Sequence, residues 1–148
     1  MGMRNVLVAG ALAIGGAVLA LWLYAPRAGE PASKGDLIAV EAPLPNALVA
    51  SPLAVSGRAR GFWYFEASFP VRILDARGNE LGVVPAQAQG EWMTVEYVPF
   101  SASLTFSAPE TETGTLVFEK DNPSGLPEHA DELRIPIRFA PRAADGTR

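Results

Sequence analysis

From Leu37 to Phe139 the apolar residues come in short runs, and no stretch sustains a 3.6-residue period for three turns. Turn-forming residues separate these runs every 8–12 positions or so, the spacing of an all-β sandwich or barrel. Leu37–Glu41 reads as a first strand, ended by Pro43 and Pro45. Leu53 to Ala59 alternates, with Leu53, Val55, Gly57 and Ala59 on one face and Ser56, Arg58 and Arg60 on the other. Phe69, Val71 and Ile73 share a face in Phe69–Leu74. Glu80–Gln87 carries Leu81 and Val83 and is interrupted by Pro85, which predicts an edge strand. Trp92–Phe106 supplies one or two strands bent near Pro99, and Gly114–Lys120 another. In the last, Leu133, Ile135, Ile137 and Phe139 alternate with Arg134, Pro136 and Arg138. The count is about seven. The 13 prolines agree with this, because proline breaks helix interiors and is tolerated at turns and sheet edges.

The N-terminal stretch has a different character. Val6 to Tyr24, VLVAGALAIGGAVLALWLY, holds no charge and ends in Trp22 and Tyr24. As a helix it would span about 28 Å, close to the hydrocarbon thickness of a bilayer. Its terminal aromatics suit the headgroup interface. A cleaved signal peptide is the rival, but the run is long and Ala25-Pro26-Arg27-Ala28 offers no good small-x-small site. The favoured expectation is an uncleaved transmembrane anchor over 1–24, with the C-terminal domain outside the cell membrane. Residues 25–36, rich in Pro, Gly, Ala and Ser, read as a linker, 37–140 as the β-sandwich and 141–148 as a flexible tail.

Charge and cysteine content remove several function classes. Arg4 is one of 12 basic residues and the only charge before Arg27, which leaves 11 basic against 16 acidic residues beyond the apolar run. A mildly acidic domain without a basic block lacks the footprint of nucleic-acid binding. The absence of cysteine rules out a disulfide framework, a thiolate metal site and a cysteine nucleophile.

Certain segments carry a resemblance. Ser51 to Gly82 is SPLAVSGRARGFWYFEASFPVRILDARGNELG, followed by GEWMTVEYVPF, GTLVFEKDNPSG and LRIPIRF. Its elements are an S-P-L opening, a G-x-A-x-G segment, F-E before F-P-V, a D-x-x-G turn, a G-x-W strand start and a D-x-P-S-G loop. In this order they resemble the Gmad2 family, an immunoglobulin-like domain associated with bacterial spore germination, over roughly Leu37 to Phe139. The resemblance implies an immunoglobulin-like antiparallel β-sandwich in a bacterial envelope setting. It implies no catalytic residues.

Residues that could carry chemistry each have a simpler reading. The lone histidine, His129, lies in a polar loop without converging partners, so a solvated loop side chain is expected rather than a zinc or catalytic one. No serine stands in a G-x-S-x-G or S-x-x-K motif, and no phosphate-binding glycine loop is present. Asp75 with Asn79 and Glu80, and Asp121 with Asn122, could donate oxygens to calcium. D-A-R-G-N-E and D-N-P-S-G read instead as turns. No cofactor and no metal are expected.

Phe62-Trp63-Tyr64-Phe65 is the sharpest feature. Successive strand side chains alternate, so four consecutive aromatics cannot all face a core. One or two should reach an outer face, with Trp63 and Tyr64 expected there, or else the run bridges the sandwich end and is mostly buried. Phe62, Trp63, Tyr64 and Glu66 are therefore the candidate partner-binding residues, for an envelope protein or glycan. Trp92, at a strand start, is expected in the core. The functional expectation is a non-enzymatic, membrane-anchored binding or assembly module. The alternatives are an accessory structural subunit acting mainly through its membrane helix, and a cell-wall hydrolase using Glu66 or Asp75.

Overall fold

The computed structural model describes residues 29–141. The anchor reading of 1–24 and nearly all of the tail lie outside the described residues. Among the described residues no helix is long and apolar enough to cross a membrane.

Among the described residues nine strands form: β1 Ala32–Lys34, β2 Ile38–Ala42, β3 Leu48–Val49, β4 Leu53–Arg60, β5 Ser68–Asp75, β6 Glu80–Ala88, β7 Tyr97–Leu104, β8 Thr113–Glu119 and β9 Glu132–Phe139. They make one sheet in the order β1-β2-β4-β7-β6-β5-β8-β9-β3, antiparallel throughout except for β3 beside β9. Two separate sheets of about seven strands were expected. The difference lies at β6 and β7, which pair only through Gln87↔Ser101 and Ala88↔Phe100. The sheet folds over at this narrow seam, and its two halves pack face to face as a sandwich does.

The two additional strands carry no periodic signal, being three and two residues long. β1 falls within the segment read as linker and pairs with β2 from Ala32↔Val40 to Lys34↔Ile38. β3 lies between turn residues and is held against Arg138 and Phe139 of β9. Lys34 of β1 pairs with the Asp131 carboxylate and donates to the Glu132 carbonyl at 3.1 Å, so one end of the strand order reaches the start of β9.

Alternation sets the core. In β4, Leu53, Val55, Gly57 and Ala59 are buried, in β5 Phe69, Val71 and Ile73, and in β9 Leu133, Ile135, Ile137 and Phe139. A slip of one residue would turn each set out to water, forfeiting roughly 1.5–3 kcal/mol per large apolar side chain. Phe69 of β5 meets Phe100 of β7 edge-on at 4.9 Å between centroids, and Phe100 lies 6.0 Å from Phe118 of β8, which joins the two halves. Gly57 makes room for this: a Cβ there would lie 2.3 Å from the Ala39 carbonyl oxygen and 2.7 Å from Phe100 Cζ.

Prolines mark where the ladder is one-sided. Pro70 and Pro85 face each other across β5 and β6, just beyond the β8 pairing of β5 and the β7 pairing of β6. A facing pair of residues without N–H groups must occupy a non-hydrogen-bonded site, so neither strand loses a donor to the other. The edge expected at Pro85 is confined to the middle of β6, which lies inside the strand order: β7 pairs at Gln87 and Ala88, and Ser107 N–H donates to the Leu81 carbonyl at 2.9 Å. Pro99 lies inside the continuous β7, without a break in its register against β4. It pairs opposite Arg58 and turns its carbonyl away from β4 to accept the Gln89 N–H at 2.8 Å. β7 begins at Tyr97, and the expected strand start at Trp92 is a loop with Trp92 half-buried against the core. A bulge at Leu81 changes the phase of β6, so Leu81 and Val84 pack inward and Val83 is left exposed.

Candidate functional site

β4 ends at Arg60, and the chain passes through a 3-10 turn, Gly61–Trp63, closed by Tyr64 N–H donating to the Gly61 carbonyl at 3.2 Å. Glycine is required at 61. A Cβ would lie 1.9 Å from the Thr94 carbonyl oxygen and 2.3 Å from that of Trp92, because the β6–β7 connection crosses here. The inward parity of β4 continues through the turn: Gly61 and Trp63 are buried, and Phe62 points out at 49 % exposure. Trp63 is fully buried, and its indole N–H finds no partner among the described residues. Tyr64 then breaks parity and is buried too. Its hydroxyl donates to the Val98 carbonyl at 2.6 Å, and its ring packs edge-on against Phe69 at 5.1 Å. Burial pushes the phenol well above the usual tyrosine range.

Phe65 and Ser68 exchange backbone hydrogen bonds of 2.9 and 3.1 Å around Glu66 and Ala67. Both central residues have positive φ, 49° and 64°, the pattern of a two-residue type I′ hairpin. Neither is glycine or asparagine, so the left-handed backbone is strained here. The turn holds Phe65 at 43 % exposure beside Glu66, which is exposed. The expectation for the aromatic run is therefore corrected in its members. Two of the four do face outward, but they are Phe62 and Phe65, while Trp63 and Tyr64 form the floor. Continuing the odd-numbered inward face of β4 into the run would have assigned Phe62 and Trp63 correctly. Arg60 is committed to structure: its guanidinium lies 4.0 Å over the Tyr97 ring and pairs with Asp36 at 3.5 Å and Glu96 at 3.8 Å.

The β8–β9 connection lies alongside, with Asp121 N–H donating to the Trp63 carbonyl at 3.0 Å. Phe62, Tyr64 and Phe65 on one side and Lys120, Asp121 and His129 on the other border a shallow hollow of about 250 Å³. Its polar wall is internally bonded. Asn122 Nδ2 donates to the Leu126 carbonyl at 2.9 Å, so Asn122 Oδ1 accepts the Ser124 hydroxyl at 2.6 Å. That commits the one Ser124 proton, and the 3.1 Å contact to His129 must run from Nδ1–H to Ser124 Oγ. In the neutral ring Nε2 is then an acceptor. His129 is the exposed loop side chain expected, and Asp121–Gly125 is a turn, with Gly125 at φ 67° donating to the Asn122 carbonyl.

Asp75 is likewise a turn residue. It accepts from Arg77 N–H at 2.8 Å, Asn79 N–H at 2.9 Å and Asn79 Nδ2 at 2.9 Å, and the asparagine bonds above all hold its carboxyl below the usual range. A larger hollow of about 810 Å³ lies at the opposite end, between the β3 edge, Phe139 and the 106–112 segment. None of the residues singled out for partner binding reaches it.

An all-β domain made of one curled nine-stranded sheet, with its halves packed face to face, is of the immunoglobulin-like class. The chain belongs to the Gmad2 family, whose model, described as the immunoglobulin-like domain of bacterial spore germination, matches residues 37–125. The match runs from the start of β2 to the Gly125 turn and stops short of β9. No match to this chain is found among curated proteins or among solved structures.

Proposed function

We propose that this chain is a non-enzymatic binding or assembly module of the bacterial cell envelope, related to germination, and tethered through residues 1–24 with the immunoglobulin-like domain on the outer side of the membrane. Recognition uses the loop end that carries Phe62 and Phe65, with Trp63 and Tyr64 setting their position from beneath and Glu66 at the rim. The observation that carries this reading is the pair of exposed phenylalanines on a connection clamped by backbone hydrogen bonds and held in a strained turn. Strain of this kind persists where the surroundings over-determine it, and it gathers at ligand-contacting sites. Membership of the Gmad2 family supports the germination link. The apolar run from Val6 to Tyr24 supports the tether.

The test is a photo-crosslinkable residue at Phe62 or Phe65 of the full chain in its native envelope, with the exposed β9 position Arg134 as control. A discrete adduct at 62 and 65 that is absent at 134 is the expected result. Adducts at none of these positions, together with loss of function when the N-terminal segment is exchanged for an unrelated anchor, would instead assign the role to the membrane segment.

A further inference from the structure

Seven large apolar side chains are exposed among the described residues, and five of them lie on three connections: Phe62 and Phe65, Met93 and Val95, and Leu126. The strand registers bring all three to one end. Arg60 at the close of β4 pairs with Tyr97 at the start of β7, and Glu119 at the close of β8 pairs with Glu132 at the start of β9. The connections also touch. Gly61 N–H donates to the Glu96 carbonyl at 3.1 Å on one side of the aromatic run, and Asp121 N–H reaches the Trp63 carbonyl on the other. Met93 and Val95 are the most exposed of all, at 73 % and 72 %. Methionine and aromatic residues are the types enriched at the centres of protein interfaces.

Charge at this end is predominantly acidic, Lys120 being the one lysine or arginine within the three connections. Glu66, Glu91, Asp121 and Glu128 have no ion-pair partner among the described residues. Arg60 is shared between Asp36 and Glu96, and Lys120 turns back onto the His129 carbonyl at 3.1 Å. An acidic rim repels the anionic surface of a bacterial membrane, so these apolar tips are poorly made for dipping into lipid. The amide and hydroxyl side chains of Asn122 and Ser124 are bonded within their own loop, and what is left free is mainly carboxylate, which pairs most strongly with a cationic donor. A protein surface with an apolar centre and lysine or arginine around it matches both features.

Resting on the reading of this end as the recognition site, we infer that it docks a protein partner through all three connections, by an apolar patch flanked by basic residues. Photo-crosslinkers placed singly at Phe65, Met93 and Leu126 of the full chain, in the native envelope, test this when the crosslinked peptide of the partner is sequenced. Adducts at all three positions to one protein, within a segment whose apolar residues are flanked by Lys or Arg, are expected. Glu66→Lys with Glu128→Lys should then lower adduct yield at Met93 about tenfold, while the far-UV circular dichroism stays that of the parent. An adduct at Phe65 without Met93 and Leu126 overturns the three-loop surface and leaves the simpler recognition reading standing. Adducts to lipid or glycan, or a yield indifferent to the charge reversals, overturn the choice of partner. Silence at all three positions removes both readings together.

Discussion

Phe62 and Trp63 are adjacent in the chain and opposite in environment, and substitution should separate them. Trp63→Ala empties a fully buried site, a change that costs about 3–5 kcal/mol, whereas Phe62→Ser and Phe65→Ser, each removing a ring only about half buried, should cost about 1–2 kcal/mol in urea unfolding. The serine variants should nevertheless lose crosslinking at this end, which would divide the run into a floor and a contact surface. Tyr64 answers to pH. Its phenol is raised by burial, so the folded protein keeps the proton that the unfolded chain gives up near pH 10. Its contribution is full below that value and is lost as pH rises above it. Tyr64→Phe should cost about 0.5–1.5 kcal/mol at neutral pH, since the hydroxyl bond to the Val98 carbonyl is lost while that carbonyl keeps its ladder bond to β4, and should flatten the alkaline limb of the stability curve.

At the scale of elements, the β4–β5 connection is held by two backbone requirements. Gly61 admits the carbonyls of Trp92 and Thr94, and Gly61→Ala should push that connection away, with loss of most native signal in thermal melts. The Glu66–Ala67 turn asks for positive φ from residues that resist it. Replacing the pair by Asn-Gly should raise stability by about 1 kcal/mol, seen as a higher denaturation midpoint with an unchanged m-value. If partner binding weakens in that variant, the native turn residues serve contact and not folding. Arg72 illustrates an element-level tie of another kind. From β5 it pairs with Glu80 of β6 at 2.6 Å and Glu119 of β8 at 3.1 Å, bracing three strands on their outer face.

For the molecule as a whole, the family match ends at Gly125, but the fold does not. β9 supplies Leu133, Ile135, Ile137 and Phe139 to the core and covers the edge of β8 along its length. A chain ending at Gly125 should therefore fail to fold, giving no cooperative transition and exposing a long apolar edge that aggregates. Strand positions and inward faces were legible from residues alone, because a two-residue alternation is a local property: β4, β5 and β9 occur where Leu53–Ala59, Phe69–Leu74 and Leu133–Phe139 place them. The turns at Asp75 and Asp121 were legible for the same reason, since their hydrogen bonds are made within a few residues. Tertiary structure alone decided that β1 and β3 are strands, that β6 and β7 join the halves into one sheet, and that Trp92 lies in a loop. It also decided which aromatics face outward, because Gly61 must turn beneath the distant 92–94 backbone and Tyr64 must reach Val98. Apart from β1 against β2 and the β6–β7 seam, those outcomes depend on partners thirty or more residues away, and no local period records any of them.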